Sequence, residues 1–394
     1  MKRPEYPAEL ETWWLIEATR RLGARSEDAV IAKLETEVAK LSDGFTTDRA
    51  DGFGDYGADE KALLAYGLFF FPQTYVRTLF QFDEILNRCG WKPAGAKIRI
   101  ADLGAGTGSA ALALASRLPD TEEIEINAIE ESETSLRLAE KIARDKSKFW
   151  PRLKFHPICE DMLKFGEAGS RFQKEKFDVI IASFSFNECF GDKPREEFDA
   201  WIDRALGHLA DGGLFLISEP ALKSSADRLE RLRNRIAADQ RFNILAPCLH
   251  HSACPMLARG DATFCHEVRW WKFPRGLQRL NRKLFRTIQF LKYSFLAVTK
   301  ETPTRHVSHE TAESARLVSP LMDLKGRMQC EGCAADGAIH RYEILTRNFS
   351  SAGKRAFFQT ERGDIVEWKN CAMLGDKQTR RTEGAERVFD FDGG

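Results

Sequence analysis

The sequence predicts an α/β fold in which helices cover both faces of a mainly parallel sheet. Between residues 97 and 218, five short runs rich in Ile, Val and Phe alternate with longer helical stretches. A glycine-rich loop directly follows the first of these runs. The chain has 394 residues, of which 43% are hydrophobic and 30% are charged. This composition allows two or three domains and excludes a disordered chain, a disulfide-rich miniprotein and a fibre.

The five apolar runs are the predicted strands of this sheet. In chain order they are residues 97–103, 123–129, 153–158, 177–184 and 213–218. Helices of 9 to 15 residues separate most of them, and such an alternation is typical of βαβ units with parallel strands.

Changes in this pattern along the chain predict six segments. An N-terminal helical region, whose apolar residues recur at helical spacing, precedes the α/β domain. A segment with a cysteine group and a basic stretch completes that domain, and a polar linker, a small β module with glycine turns and a flexible charged tail follow. The segments are residues 1–92, 93–244, 245–300, 301–323, 324–375 and 376–394.

The formal net charge of zero hides a difference between two parts of the chain. Residues 248–394 hold 24 Lys and Arg against 17 Asp and Glu, a balance of +7, so the remaining residues hold 35 against 42, a balance of −7. The stretch 268–299 contains no acidic residue, which predicts a polyanion such as RNA as its partner. The predicted RNA-binding residues are Arg269, Lys272, Arg275, Arg279, Arg282, Lys283 and Arg286.

Membrane and secretory segments are not expected. No apolar run reaches the ~18 residues that a membrane helix needs, and the first residues lack the apolar stretch of a signal peptide. Nine cysteines, an odd number, argue against a disulfide framework. We expect a cytoplasmic, monomeric protein without a membrane partner.

The loop after the first strand carries the clearest ligand-binding pattern. Residues 101–109 read Ala-Asp-Leu-Gly-Ala-Gly-Thr-Gly-Ser, and glycines at such a junction let a ligand approach the N–H groups of the following helix. A dinucleotide fingerprint would place its third glycine at position 109, which is serine. Asp102, Gly104, Gly106 and Gly108 instead look like motif I of class I S-adenosylmethionine (SAM) methyltransferases, in which the acid contacts the amino-acid end of SAM.

Two further acids follow the second and third predicted strands. Glu130 is suited to accept both ribose hydroxyls of a nucleoside. Asp161 stands where these methyltransferases usually place an acid or amide on the adenine amino group. Three such features at successive strand ends predict SAM binding rather than an empty glycine turn.

No catalytic residue can be named from the sequence. The loop at residues 185–189, after the fourth strand, lacks the Asn/Asp-Pro-Pro-Tyr/Phe motif of enzymes that methylate amino groups of nucleic acids. A pyrimidine-carbon methylase needs a nucleophilic cysteine, usually after proline, and neither Cys159 nor Cys189 follows a proline. We interpret this loop as the floor of the cofactor pocket.

Five cysteines fall into two groups in the C-terminal half, three in residues 248–265 and two in residues 330–333. Thiolates in loops flanked by Pro and Gly are suited to a soft metal or an iron–sulfur cluster. Three ligands from one loop and a fourth from the distant segment would tie the C-terminal module to the α/β domain. Zinc is the alternative metal, with His250, His251 and His266 as spare ligands.

At this point the chain resembles the methyltransferase-like factors of the small ribosomal subunit, which occur in mitochondria and bacteria. The resemblance covers most of the chain and is most specific around its cysteines. The matching motifs are Pro72-Gln-Thr-Tyr75, Glu219-Pro220, Pro247-Cys248, Cys254-Pro255, Cys265-His266, Lys292-Tyr-Ser-Phe-Leu296 and Cys333-Ala-Ala-Asp-Gly337.

The resemblance implies a 4Fe–4S cluster on Cys248, Cys254, Cys265 and Cys333, with Cys330 as an extra thiol. It also implies a SAM-binding factor that docks on small-subunit ribosomal RNA, in a family with several members that act in ribosome assembly without demonstrated methyl transfer. The alternative function is an active SAM-dependent rRNA methyltransferase. Methylation of a small molecule would leave the basic segment and the cysteines unexplained.

Overall fold

The computed structural model contains a central sheet of eight strands, seven of which form one continuous row. The described residues are 2–46, 59–118, 121–191, 193–239, 241–260, 262–284, 288–300, 313–375 and 378–389. The strands of this sheet are β1 (Lys97–Leu103), β2 (Glu123–Glu130), β3 (Leu153–Cys159), β4 (Phe177–Ser183), β5 (Leu209–Pro220), β6 (Asn243–Ala246), β7 (Glu267–Trp270) and β8 (Phe290–Thr299).

The strand order is β3-β2-β1-β4-β5-β8-β6, and β7 pairs with the first residues of β8. The strands from β3 to β5 are parallel, whereas β8 runs antiparallel to β5 and to β6. A parallel sheet whose order reverses beside the first strand, with an antiparallel strand inserted near its end, is the class I SAM-dependent methyltransferase fold. The predicted fold class is therefore confirmed.

Helices cover both faces of this sheet. In β4, Val179 and Ile181 face one hydrophobic core, whereas Ile180 and Ala182 face the other. A strand covered on both faces is apolar throughout rather than alternating, which is why these strands appear in the sequence as continuous runs. The helices are α1 (Ala8–Arg21), α2 (Glu27–Thr46), α3 (Glu60–Asn87), α4 (Ser109–Ala115), α5 (Glu133–Asp145), α6 (Phe186–Cys189), α7 (Arg195–Gly207), α8 (Lys223–Ala238), α9 (Pro255–Arg259), α10 (Arg275–Lys283) and α11 (Ser351–Phe357).

The long helix α3 joins the N-terminal helices to the sheet. Trp14 of α1 packs on Gly67 so closely that a Cβ at this position would lie 2.2 Å from the indole ring. Residues of α1, α2 and α3 share one hydrophobic core with β1, β2 and β4. Just beyond α3, the indole N–H of Trp91 donates to the carbonyl of Gly212 at 2.9 Å. The helical region thus shares the hydrophobic core of the sheet.

The C-terminal module is a second sheet, mostly antiparallel, with the order β14-β15-β12-β11-β9-β13-β16 and with β10 paired to β11. Its strands are β9 (Ser314–Leu317), β10 (Met322–Leu324), β11 (Arg327–Ala334), β12 (Ile339–Leu345), β13 (Ile365–Lys369), β14 (Ala372–Met373), β15 (Thr379–Thr382) and β16 (Gly384–Phe389).

The predicted bounds of this module were too narrow. The predicted linker, 301–323, contains the whole of β9 and the start of β10, and the predicted flexible tail, 376–394, contains β15 and β16. Strand β15 pairs with β12 and β16 pairs with β13, so strand pairing orders charged sequence that has little apolar pattern of its own. Residues 301–312, 376–377 and 390–394 lie outside the described part of the chain.

A buried network of ion pairs connects the module to the rest of the protein. Arg316 of β9 pairs with Glu84 of α3 and, at 3.1 Å, with Glu267 of β7. Arg269 pairs with Glu267 at 2.6 Å and with Asp364. With Arg88, which is 2.9 Å from Glu84, the members of this network that are 5% exposed or less are three arginines and three carboxylates. Equal numbers of opposite charges make burial of these groups tolerable.

Candidate functional site

The glycine loop lies at the carboxyl end of β1, at the point where the strand order reverses. The N–H groups of Gly104 and Ala105 both donate to the carbonyl of Ile129 at 3.0 Å, which ties the loop to the end of β2. Gly104, Gly106 and Gly108 all have positive φ, from +52° to +77°. At Gly104 a Cβ would also lie 2.5 Å from the Cβ of Ser185, so this position has room only for glycine.

The acids predicted to bind SAM surround this loop. Asp102 is buried, and its Oδ2 atom has no hydrogen-bond partner among the described residues. Burial raises the pKa of Asp102 to about 7. The Glu130 carboxylate accepts hydrogen bonds from the N–H groups of Gly106 at 2.9 Å and Ser132 at 3.0 Å. Asp161 accepts one from Leu163 at 2.8 Å.

Two of these acids, Glu130 and Asp161, act electrostatically on the thiol of Cys189. Burial raises the pKa of this thiol to about 12, and the carboxylates of Glu188, Asp161, Glu131 and Glu130 contribute to the shift. This many carboxylates around one side chain favour a cationic ligand group. The protonated Cys189 thiol is a poor nucleophile.

Helix α3 contributes residues that the sequence analysis did not identify. The Arg77 guanidinium lies 4.9 Å from the centre of the Phe184 ring, and the next residue, Ser185, donates to the carbonyl of Leu103 at 3.1 Å. Burial lowers the pKa of Arg77 to about 10, and within the described ranges no carboxylate lies within ion-pair distance of it. Tyr66, also on α3, has its pKa raised by burial and by Glu188 and Glu130. In the sequence, the only sign of a role for Arg77 was its position two residues after the matched motif 72–75.

The four cysteines implied by the resemblance converge on one place. A cavity of about 40 Å³ is lined by Cys248, Cys254 and Cys265, among other residues. The pKa of Cys333 is raised by burial and by the neighbouring thiols of Cys248 and Cys254. Cys330 points to the opposite face of β11, into the hydrophobic core of the β module. Over the described residues, no three His, Cys, Asp or Glu side chains already stand in metal-ligand geometry.

The three histidines considered as spare ligands differ in position. His250 Nε2 lies 3.4 Å from the sulfur of Cys333. His251 accepts a hydrogen bond from the N–H of Ile244 at 3.1 Å, so this ring atom is already engaged away from the thiols. His266 lies 3.2 Å from the carbonyl of Phe264, and burial lowers its pKa to about 4.

Most of the cations predicted to bind RNA in the basic stretch form ion pairs within the protein. Arg269, predicted to bind RNA, is 1% exposed and lies in the buried ion-pair network, so this prediction is wrong. The other paired cations meet acids of the N-terminal region, which the absence of acids within 268–299 did not reveal. These pairs are Lys272 with Glu5, Arg275 with Glu11, Arg279 with Glu27 and Asp28, and Lys283 with Glu35.

Arg282 differs from these cations, and its predicted contact with RNA stays a prediction. It is exposed at the end of α10, and among the described residues no acid lies within ion-pair distance of it. Arg286 lies outside the described residues. The exposed rings of Trp270 and Phe290 stand opposite each other on β7 and β8.

Within the described ranges, no helix combines the length and the apolar character that crossing a bilayer requires. No curated protein matches the chain.

Several solved methyltransferase structures resemble the fold at low identity. TehB of Haemophilus influenzae is 12% identical over 57% of this chain, with a TM-score of 0.33, and the match spans only 61% of TehB. A Listeria monocytogenes protein assigned as a class I SAM-dependent methyltransferase is 13% identical over 76% of this chain and 90% of its own, with a TM-score of 0.38. A 16S rRNA N2 G1207 methyltransferase of T. thermophilus is 20% identical over 44% of this chain and 40% of its own, with a TM-score of 0.29.

The match to a protein family covers much more of the sequence. The family model described as mitochondrial small ribosomal subunit Rsm22 matches residues 60–368, which include the helix α3, the glycine loop, all four converging cysteines and most of the β module. This is well over half of the 394 residues. The resemblance noted from the motifs is therefore confirmed, and the chain belongs to the Rsm22 family.

Proposed function

We propose that this protein binds SAM and a 4Fe–4S cluster and acts on the small ribosomal subunit by contacting its RNA, without transferring a methyl group. The observation that carries the proposal is the convergence of two sites in one chain of the Rsm22 family. One is the glycine loop with the acids Asp102 and Glu130 beside it, and the other is a group of four buried or half-buried thiols.

The residues around the glycine loop fit SAM. Ionised Asp102 is unfavourable in its buried position unless a cation lies beside it, and the ammonium group of SAM is such a cation. Glu130 would hold the ribose and Asp161 the adenine amino group. Arg77, which lacks an acidic partner in the described part of the chain, would pair with the carboxylate of SAM. Bound SAM supplies an electrophilic methyl group.

Two variants and two ligands test this arrangement. Glu130→Ala should weaken binding of both S-adenosylhomocysteine and 5′-methylthioadenosine by about 1–3 kcal/mol, because both ligands lose a charged hydrogen bond to the ribose. Arg77→Met should weaken binding of S-adenosylhomocysteine only, because methylthioadenosine has no carboxylate. Isothermal titration calorimetry with each ligand measures both effects.

The same titrations can contradict the proposal. If intact wild-type protein binds neither of these ligands nor SAM itself, SAM is not its cofactor. If Arg77→Met weakens both ligands equally while the melting temperature falls, Arg77 supports the packing of α3 on Phe184 rather than the carboxylate.

The cysteine group fits a cluster with four thiolate ligands. Three thiols from one segment line a common cavity, and the thiol of Cys333 from a distant segment packs beside them. A cluster with one thiolate at each iron would use all four. Zinc with four thiolates would use the same residues. Metal analysis after anaerobic purification distinguishes the two, because zinc without iron and sulfide would exclude the cluster.

Contacts to ribosomal RNA are proposed for the exposed end of α10 rather than for the whole basic stretch. Arg282→Gln should flatten the log–log dependence of RNA affinity on salt by about 0.7–0.9, the effect of one lost phosphate contact. Arg279→Gln should have a smaller effect, because Arg279 already pairs with Glu27 and Asp28. Filter binding to small-subunit rRNA at several salt concentrations measures the slopes.

An exposed arginine elsewhere provides the control for this measurement. Arg241 precedes β6 and pairs with Asp239 at 2.7 Å, so Arg241→Gln should leave the slope unchanged. An unchanged slope for Arg282→Gln would remove α10 from the proposed RNA surface.

An active rRNA methyltransferase is the second candidate function. The observation that favours it is Phe184, a non-glycine residue with φ of +65° in the loop after β4, beside the proposed methyl donor. Backbone strain of this kind is concentrated at functional sites. Incubation of small subunits with SAM labelled in its methyl group decides between the two functions, because incorporation into RNA would show that activity is retained.

A further inference from the structure

One face of helix α8 contacts all three cysteine-bearing positions of the 248–265 segment. Glu230, Arg233 and Asn234 have the spacing i, i+3, i+4, which places them side by side on a helix. The Glu230 carboxylate accepts a hydrogen bond from the N–H of Cys265 at 2.8 Å, and the Asn234 side chain accepts one from the N–H of Cys254 at 2.7 Å.

Arg233 lies at the centre of this face and reaches the thiols themselves. Its Nε atom donates to the sulfur of Cys248 at 3.4 Å. One terminal nitrogen donates to the carbonyl of His250 at 2.6 Å and lies 3.3 Å from His250 Nδ1. On the other side of the imidazole ring, His250 Nε2 lies 3.4 Å from the sulfur of Cys333. Arg233 therefore contacts one thiol directly and a second through His250.

The charge of Arg233 is not balanced by a carboxylate. The residue is 3% exposed, and no acid of the described chain lies within ion-pair distance of its guanidinium. A buried guanidinium without an acid is costly unless another anion lies beside it. Four cysteine thiolates around a metal centre are such an anion, and Cys248 and Cys333 are two of the four.

We infer that Arg233 is a positioning and charge-balancing residue of the four-cysteine site. Glu230 and Asn234 hold the backbone at Cys265 and at Cys254, respectively, against the same helix. The inference rests on the proposed metal site and extends it to residues that are not ligands. Groups that orient metal ligands from outside the first coordination sphere typically change metal affinity by about 10- to 100-fold when removed.

The test compares four variants of the anaerobically purified protein. Arg233→Met removes the charge and the hydrogen bonds, Arg233→Lys keeps the charge without the planar fork, and Asn234→Ala removes only the acceptor for Cys254. Arg231→Met is the matched control, because Arg231 is an exposed arginine on the same helix. Two quantities are measured: the rate of iron loss to a chelator, and the midpoint potential from a redox titration followed by electron paramagnetic resonance.

Arg233→Met should speed iron loss by about 10- to 100-fold and lower the midpoint potential, because loss of a nearby positive charge disfavours the more negative, reduced cluster. Arg233→Lys should keep a near-wild-type midpoint potential. Asn234→Ala should speed iron loss without shifting the midpoint potential. Equal rates and potentials for Arg233→Met and Arg231→Met would overturn the inference.

The inference can also be tested if a variant does not fold or if the protein holds no iron. If Arg233→Met does not fold, the other two variants decide. A near-wild-type midpoint potential in Arg233→Lys, together with faster iron loss at an unchanged potential in Asn234→Ala, still supports the inference. Wild-type rates of iron loss in both variants overturn it. If wild-type protein holds zinc instead of iron, the proposed cluster fails, and chelation rates of zinc test the positioning role alone. If wild-type protein holds no metal, both the metal site and this inference are wrong.

Discussion

Replacing any one of Cys248, Cys254, Cys265 and Cys333 by serine should reduce the iron of anaerobically purified protein from about four atoms per chain to a small fraction of that value. The effect is large because each thiolate would hold one iron of the cube. The thiols come from two segments, one before β7 and one at the end of β11, so loss of any ligand should also loosen the β module. Iron and sulfide analysis, with the visible absorbance of the cluster, measures the result.

Cys330→Ser is the matched control for this series. Cys330 lies only three residues before Cys333, but along β11 the two side chains point to opposite faces, and Cys330 packs in the core of the β module. Its replacement should leave the iron content at the wild-type value. Equal iron loss in all five variants would mean that the serines act on folding and not on metal binding.

Arg316→Met should lower the free energy of unfolding by about 3–5 kcal/mol, the cost of leaving buried charges without their partner. Arg316 is 3% exposed and pairs with both Glu84 and Glu267, and it donates to the carbonyls of Pro247 at 2.7 Å and Gly363 at 2.6 Å. Methionine fills a similar volume but satisfies none of these groups. Unfolding by denaturant measures the effect, and limited proteolysis shows whether residues 313–389 become accessible first.

The exposed pair of Arg241 and Asp239 provides the contrast. Arg241→Met should change stability by only about 0–1 kcal/mol, because water and salt screen an exposed pair. If Arg316→Met has an equally small effect, the network is not what holds the β module in place. Since Arg316 lies opposite Cys333 across the two strands, the iron content of Arg316→Met should also fall.

The elements that the sequence predicted well depend on local pattern. The strands of the parallel sheet are recognisable because both of their faces are buried, which leaves runs such as 177–183 almost free of polar residues. The glycine loop is recognisable because positive φ at Gly104, Gly106 and Gly108 restricts the residues that can stand there. The strands β15 and β16 could not be predicted, because their order comes from pairing with β12 and β13 and not from apolar residues of their own.

The sequence by itself determined the α/β class, the glycine loop with its acids, and the grouping of the cysteines, because spacing along the chain expresses each of these features. Only the tertiary structure decided which charges are free. Arg269 and Arg282 are alike in sequence, but Arg269 is buried between its near neighbour Glu267 and the distant Asp364, whereas Arg282 is exposed. The tertiary structure also decided that α8 faces the cysteines and that Arg77 lies against Phe184 in the loop after β4. Most of these contacts join residues that are far apart along the chain, so no local pattern records them.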